Sequence, residues 1–320
     1  MLAHKLVETH ALDQGQDIFI PAPRDFRCES GELLPDAQLR LRHYGAAGAP
    51  LVIVSGGISS GRMLHEWWGD QVARGAAIDL SRYGALGFDF SPLADQRVRI
   101  SPRDQARLLV HALDALGAPR VEAWVGASYG AMVGFAFAAE APARLKRLCA
   151  ISAAERPAAL ARGWRGVQRR IVEFALEQNE PARGLSLARQ LAMITYRSGE
   201  ELQTRFPGGV DAEGLSEVDR YLIARGDAYI ETMAPRRWLS LSESIDRCAI
   251  EAAHIQTPVT LAACPADQIA PLADIESLAR RLPRLQSLNL VASVYGHDAF
   301  LKEAAQIRAV IRACLETPDV

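Results

Sequence analysis

Three residues that lie far apart in the sequence have the types and order of a nucleophile, a carboxylate and a base. Ser128 is at the centre of Gly126-Ala-Ser-Tyr-Gly130, a G-x-S-x-G pattern whose glycines allow a sharp turn. A serine hydroxyl attacks well only when a base takes its proton, and we assign that task to His297. Asp267 would orient the imidazole and stabilise its cation. This set predicts acyl transfer or hydrolysis through a covalent serine intermediate.

Position in the chain singles out His297 among the histidines. The base of such a triad is expected after the last strand, and His297 follows a predicted strand and Gly296. The other histidines precede the serine turn or lie before the strand that should carry the carboxylate: His4, His10, His43, His65, His111 and His254. Asp267 follows that strand, in Cys264-Pro-Ala-Asp267.

A serine mechanism also needs hydrogen-bond donors for the negatively charged oxygen that forms on the substrate. The backbone amide of Tyr129, directly after the nucleophile, is the first expected donor. The loop Gly56-Gly57-Ile58 after an early strand should supply the second, and we assign it to Gly57. Which amide of this loop points inward does not follow from the sequence.

Strands and helices alternate around these residues. Leu51–Ser55 is a continuous apolar run before two glycines, which is typical of a buried parallel strand. Ser101 and Pro102 mark a helix start, as N-cap and first helical residue. The predicted strands are 83–90, 121–125, 147–152, 257–263 and 286–291, and the predicted helices are 101–116, 129–139, 272–281 and 300–316. This alternation predicts a doubly wound, mostly parallel sheet.

The middle of the chain has a different pattern. Residues 155–252 are rich in arginine and glutamate at helical spacing, which predicts a helical lid inserted into one core domain formed by residues 1–154 and 253–320. The nucleophile, carboxylate and base follow one another in the order typical of the α/β-hydrolase fold, and that is the fold we predict.

Composition excludes several classes of protein. The net charge is −2, from 36 basic and 38 acidic residues, which favours neither nucleic acid nor an anionic membrane as a partner. The 5 cysteines form no CxxC pair, so we expect no zinc site and no disulfide framework. Residues 123–139 lack charge, but the serine turn within them argues against a membrane span. Residues 1–16 lack a signal-peptide pattern, so we expect a cytoplasmic enzyme. We also expect that it needs no metal and no cofactor.

Several segments beyond the triad carry a resemblance to a known family. They are Glu29-Ser-Gly-Glu-Leu-Leu-Pro-Asp36 with Tyr44-Gly45, Trp67-Trp68-Gly69 with Ala77-Ile-Asp79, Ile100-Ser-Pro-Arg-Asp-Gln105, Gly184-Leu-Ser-Leu-Ala-Arg189 with Ile194-Thr-Tyr-Arg-Ser198, and Gly296-His-Asp-Ala-Phe-Leu301. With them the chain resembles the homoserine O-acyltransferases of methionine biosynthesis. The resemblance implies an α/β-hydrolase fold, an acyl-CoA co-substrate and a homodimer joined through the lid.

The same resemblance implies an amino-acid site made of Arg189, Tyr196 and Asp298. Arg189 and Tyr196 are seven positions apart and therefore share one face of a helix, where they could meet a carboxylate together. Asp298 could then take the ammonium group. The chain departs from the family in reading Ser-Tyr-Gly where Ser-Met-Gly is usual, in lacking a Gly/Ser-rich segment between Phe90 and Ile100, and in being shorter.

The favoured hypothesis is transfer of an acetyl or succinyl group from coenzyme A to the hydroxyl of L-homoserine, or of a similar amino acid such as L-serine. A serine esterase or thioesterase needs the same triad but no amino-acid site, and it is the first alternative. A non-catalytic binding scaffold would be expected to have lost part of the triad. A succinyl donor would need a cation near the acyl group, and the candidates are Arg62, Arg165 and Arg197.

Overall fold

An eight-stranded sheet lies at the centre of the protein, in a computed structural model that describes residues 13–317. The strands are β1 (Gln16–Pro21), β2 (Gln38–Tyr44), β3 (Leu51–Ser55), β4 (Val72–Ala73), β5 (Ile78–Asp79), β6 (Gly84–Phe88), β7 (Ala123–Ala127), β8 (Leu148–Ile151), β9 (Val259–Ala263) and β10 (Leu285–Leu290). Their order in the sheet is β1-β2-β6-β3-β7-β8-β9-β10, and β4 and β5 form a separate pair. All pairings from β6 to β10 are parallel, whereas β1 and β2 pair antiparallel. The predicted mostly parallel sheet is confirmed.

Helices connect these strands and cover the sheet. The described helices are α1 (Leu64–Trp67), α2 (Pro102–Ala115), α3 (Tyr129–Glu140), α4 (Ala159–Glu177), α5 (Pro181–Tyr196), α6 (Gly199–Arg205), α7 (Glu217–Ile230), α8 (Pro235–Asp246), α9 (Leu272–Arg281), α10 (Ala299–Lys302) and α11 (Ala304–Glu316). Helices α4 to α8 all lie between β8 and β9 in the chain, in the segment where the sequence predicted a helical insertion. Its role as a lid stays a prediction.

The alternating side chains of the central strands build a core on each face of the sheet. Ile53 and Trp124 point to the core that contains α2 and α3, whereas Val52 and Val125 point to the core that contains α11. Successive residues of a strand face opposite sides, so a strand covered on both faces must be apolar throughout. This explains the unbroken apolar runs of β3 and β7.

The start of α2 confirms the predicted cap. The side chain of Ser101 accepts a hydrogen bond from the amide of Asp104, and the Asp104 carboxylate accepts one from the Ser101 amide at 2.9 Å. This reciprocal capping box satisfies amides that have no partner within the helix. The buried Asp104 carboxylate also accepts from the Glu29 amide at 3.0 Å. Two of the family-like segments therefore meet at this helix end.

Several elements differ from the sequence-based prediction. Strands β1 and β2 were not predicted, and they extend the sheet with antiparallel pairs. The closing helix, predicted as continuous over 300–316, is broken at Glu303, whose backbone (φ −96°, ψ 56°) lies outside the helical region. The other strands and helices whose bounds were predicted lie within a few residues of them, whereas α1, β4 and β5 were not predicted and α4 to α8 were predicted only as one helical segment.

No helix of residues 13–317 is both long enough and apolar enough to cross a membrane. Within the same range no three His, Cys, Asp or Glu side chains come together so as to hold a metal ion. The described cysteines are free and buried. His4, His10 and most of the segment predicted to lack an export signal lie outside the described residues.

Candidate active site

Ser128 occupies the turn between β7 and α3, with φ 54° and ψ −123°. A positive φ is costly for a residue with a side chain and is found where the surroundings enforce it. The turn brings backbones very close: a Cβ on Gly130 would lie 2.6 Å from the carbonyl oxygen of Ser55, and one on Gly126 would lie 2.7 Å from the carbonyl oxygen of Gly130. The predicted role of these glycines therefore has a steric reason, because only glycine fits.

The three predicted triad residues meet above the end of β7. The hydroxyl of Ser128 lies 2.8 Å from Nε2 of His297, and Nδ1 of His297 lies 2.7 Å from Oδ2 of Asp267. Asp267 lies in the loop between β9 and α9, where its other oxygen accepts hydrogen bonds from the amides of Ile269 at 2.8 Å and Ala270 at 2.9 Å. These bonds fix the carboxylate, so that it orients Nδ1–H and leaves Nε2 free to accept the serine proton.

The imidazole of His297 is buried and has charged neighbours. Burial opposes its protonation, but the charge and hydrogen bond of Asp267, with a further contribution from Asp298, outweigh burial and raise the pKa of His297 above its ordinary value. The positive charge of Arg165 acts in the opposite direction. A base with a raised pKa holds a proton more firmly, which suits a group that must accept one from serine and return it to a leaving group.

The two predicted oxyanion donors lie beside the nucleophile. Gly57, Ile58, Ser128 and Tyr129 all line one cavity. The carbonyl of Gly56 accepts a 2.8 Å hydrogen bond from the Gly130 amide, which holds the loop after β3 against the serine turn. The arrangement fits donation by Tyr129 and by an amide of this loop, and the choice of Gly57 over Ile58 stays a prediction.

Arg189 and Tyr196 reach the same cavity from α5. The guanidinium carbon of Arg189 lies 5.7 Å from the ring centre of Tyr196, and that ring lies 5.6 Å from the imidazole of His297. The helical face that they share thus points at the imidazole of His297. The structure brings both residues together with Ser128, while their binding role stays a prediction.

Asp298 follows the base directly and lines the cavity as well. It is buried and forms a salt bridge with Arg197, in which Nε of Arg197 lies 3.0 Å from Oδ2. Arg197 also faces Glu201, at 3.4 Å. The charge of Arg197 is therefore shared by two carboxylates, Glu201 and Asp298. Asp298 can therefore still pair with a second cation.

Tyr229, which lies on α7 beneath Arg189, is a site residue that the sequence did not predict. The guanidinium carbon of Arg189 lies 4.6 Å from the ring centre of Tyr229, closer than it lies to Tyr196. The Tyr229 hydroxyl is 3.0 Å from the hydroxyl of Ser59, in the loop that carries Gly57. A tyrosine on an amphipathic helix resembles an ordinary core residue, so no sequence signal marks this position.

The three arginines predicted as candidate partners of an acyl carboxylate differ in their ion pairs and in whether they line the cavity. Arg62 forms salt bridges with Asp17 and Asp89 and is not among the residues that line the cavity. Arg197 forms ion pairs with Asp298 and Glu201. Arg165 lines the cavity, which has a volume of about 120 Å³.

The fold and the serine turn define the class of the protein. The sequence pattern of the alpha/beta hydrolase fold matches residues 49–304, and the chain belongs to that fold family. Within it, the chain belongs to the homoserine O-acyltransferase family. It is 40% identical over 295 residues to a homoserine O-succinyltransferase of Xanthomonas campestris pv. campestris, an alignment that covers 88% of this chain and 80% of the relative.

Solved structures show how widely the fold is used. A homoserine O-acetyltransferase from Bacillus anthracis superposes with a TM-score of 0.86 at 13% identity, over 96% of this chain and 99% of that one. The esterase E22 superposes with a TM-score of 0.83 at 14% identity, over 94% of this chain and 100% of that one. At such identities the likeness concerns the fold alone, and reaction type must be argued from the site.

Proposed function

We propose that the protein is an acyl-CoA-dependent O-acyltransferase that moves an acetyl or succinyl group to the hydroxyl of L-homoserine, or of a similar amino acid such as L-serine. The reaction would serve methionine or cysteine biosynthesis in the cytoplasm. The observation that carries this proposal is the convergence of Arg189, Tyr196 and Asp298 on the cavity that holds Ser128 and His297. A simple hydrolase has no need of a paired cation and anion beside its nucleophile.

In the first half of the reaction, Oγ of Ser128 attacks the thioester carbonyl while Nε2 of His297 takes its proton. The negative oxygen of the tetrahedral intermediate would accept hydrogen bonds from the backbone amides of Tyr129 and Gly57. The carbon–sulfur bond then breaks, and His297 gives the proton to the departing thiolate. Coenzyme A leaves as the free thiol, and the acyl group remains on Ser128 as an ester.

In the second half, the amino-acid hydroxyl attacks this ester and His297 takes the proton of that hydroxyl. Collapse of the second intermediate breaks the bond to Ser128, whose oxygen regains the proton from His297. The product is an O-acyl amino acid, and the enzyme returns to its first state. One base thus serves both halves because the proton is returned each time.

The acceptor must be held with its hydroxyl toward the acyl-serine. Its α-carboxylate would meet Arg189, whose guanidinium can donate two parallel hydrogen bonds, and Tyr196 would assist. Its ammonium group would meet Asp298, next to the base. Fixing both charged ends orients the hydroxyl, which favours its attack over that of a mobile water molecule.

The helices between β8 and β9 would act as a lid that limits water at the acyl-serine, since an exposed ester of this kind hydrolyses. They also carry exposed apolar side chains, including Phe174 (65% exposed) and Leu187 (46% exposed), consistent with a homodimer joined through this segment. The molecular mass in solution tests that part of the proposal.

Coenzyme A release tests the reaction. The purified protein is given acetyl-CoA or succinyl-CoA, each with and without L-homoserine or L-serine, and Ser128→Ala is the control. Release that requires an amino acid and is lost in the variant supports the proposal and names the acceptor. Coenzyme A release that does not depend on the amino acid would instead establish a thioesterase. Activity confined to simple esters would establish an esterase.

A further inference from the structure

Two buried polar side chains of α4 face the catalytic cavity without a role in the triad or the amino-acid site. Arg165 is 8% exposed and Gln168 is 4% exposed, and both line the cavity that contains Ser128 and His297. They lie one helical turn apart, so both project from the same face of the helix. Polar groups buried in this way normally have hydrogen-bond partners.

Much of their bonding capacity is unused. Nε and Nη2 of Arg165 both donate to one oxygen of Asp246, at 2.9 Å and 2.7 Å. Among residues 13–317, Nη1 of Arg165 and the amide group of Gln168 have no hydrogen-bond partner. A guanidinium nitrogen and a carboxamide with free donors therefore line the cavity that contains Ser128.

The charges around Arg165 do not cancel. Asp246 also faces Arg169, whose Nη1 lies 2.7 Å from Oδ2, so two guanidinium groups share one carboxylate. Such a cluster retains one positive charge. An unbalanced buried charge is unfavourable, and an anion at the free side of Arg165 would relieve it.

The amino-acid substrate does not use this charge. Its carboxylate and ammonium groups are matched by Arg189 and Asp298, as proposed above. An acetyl group would end in a methyl group and leave Arg165 and Gln168 without partners. Ala161, Trp164 and Ile245 also line the cavity and offer apolar walls to a short methylene chain.

We propose that Arg165, together with Gln168, binds the terminal carboxylate of the acyl group, so that the donor is the coenzyme A thioester of a short dicarboxylic acid, with succinyl-CoA as the probe. The inference rests on the proposed function and restricts the choice of acyl donor. Nη1 of Arg165 and Nε2 of Gln168 donate to the carboxylate, and the acyl carbonyl lies at Ser128. Both residues act on donor choice, and neither exchanges a proton with Ser128 or His297.

The first test compares donors in Arg165→Met, which keeps side-chain length and helix propensity. The ratio of kcat/KM for succinyl-CoA to that for acetyl-CoA, with saturating L-homoserine, is expected to fall by about 10- to 100-fold, the range for a lost hydrogen bond to a charged group. Acetyl transfer is expected to persist, which also shows that the variant folds. Arg162→Met is the matched control, because Arg162 is exposed three residues earlier on the same helix.

A second variant covers the case in which Arg165→Met does not fold. Gln168→Glu leaves the Arg165–Asp246 contact in place and adds a negative charge that competes with the acyl carboxylate for Arg165. The same fall in the succinyl-to-acetyl ratio is expected, whereas Gln168→Met should lower the ratio less.

Two results overturn the inference while leaving the proposed function intact: a wild-type protein that acylates L-homoserine from acetyl-CoA and not from succinyl-CoA, or a donor ratio that both variants leave unchanged. Amino-acid-independent release from either donor would instead overturn the proposed function, and the inference with it. The two failures are thus distinguished by whether the acceptor is required.

Discussion

Nδ1 of His297 and Oδ2 of Asp267 are 2.7 Å apart, and both side chains are buried. Because two backbone amides fix the carboxylate from its other side, the pair keeps one geometry without help from substrate. The pair also sets the charge of the base, since Asp267 is the main source of stabilisation of the imidazolium.

The first prediction concerns pH. The raised pKa of His297 means that the imidazole must lose a proton above its ordinary value near 6.5 before it can act, so kcat/KM should rise with pH through that raised pKa. Asp267→Asn removes the stabilising charge, so the pKa falls and the acidic limb moves to lower pH. The turnover number should fall on the order of 10⁴-fold because the tautomer is no longer enforced.

Initial rates of coenzyme A release across the acidic and neutral range check this prediction. Asp274→Asn is the control, since Asp274 is exposed on α9. An acidic limb that stays in place in Asp267→Asn would contradict the role of that carboxylate.

Arg189→Met should separate acceptor binding from acylation of the serine. We expect KM for L-homoserine to rise about 10- to 100-fold, through loss of a charged hydrogen bond, while pre-steady-state acylation of Ser128 stays near the wild-type rate. Arg183→Met on the same helix is a suitable control, because Arg183 is 75% exposed and contacts only Glu180 among its described charged neighbours. Equal losses in acylation and acceptor binding would argue against a separate amino-acid site.

Tyr229 should act through its ring and its hydroxyl in different ways. Tyr229→Phe keeps the ring beneath Arg189 but loses the bond to Ser59, so it should lower kcat with little change in KM for the amino acid. Tyr229→Leu loses the ring as well and should also raise that KM. Steady-state kinetics with the amino acid as the varied substrate distinguish the two, and identical effects of both variants would refute the division.

Gly130→Ala should destabilise the fold, because its Cβ would meet the backbone of Ser55 at 2.6 Å and a backbone cannot move aside easily. We expect a loss of about 3 kcal/mol in the free energy of unfolding, the upper range for overpacking. Gly163→Ala on α4 meets nothing within 4 Å and should stabilise by about 0.5–1 kcal/mol. Urea denaturation measures both changes, and similar values for the two would show that close packing at the serine turn is unimportant.

The sequence predicts that the three residues come together, because each follows a strand that the pattern also predicts, and the structure brings them within hydrogen-bond distance. The buried strands are apolar runs, and the ends of parallel strands meet at one edge of a sheet, so Ser128, Asp267 and His297 had to converge. The order of these three residues along the chain then restricted the choice of fold to that of the α/β-hydrolases.

Most of the rest depends on contacts that local pattern does not encode. Strand β2 is an exception, since Gln38–Tyr44 alternates polar and apolar residues as a half-buried strand does, and a prediction based on continuous apolar runs does not include it. Strand β1 is mostly exposed and has no such signal. No proline or glycine marks the helix break at Glu303. The pairing of Arg165 with Asp246 joins helices that are 81 positions apart, and only the folded chain shows which of the candidate cations reaches the cavity.

The contact between Ser59 and Tyr229 joins the loop beside the nucleophile to a helix 170 positions away. If the inserted helices swing outward to admit coenzyme A, this hydrogen bond must break, and the loop loses one of the contacts that hold it, while the bond between the Gly56 carbonyl and the Gly130 amide remains. Stabilisation of the negative oxygen should then be weaker in the open state than in the closed one. An enzyme built in this way would be least able to cleave its own acyl ester at the moments when bulk water can reach it.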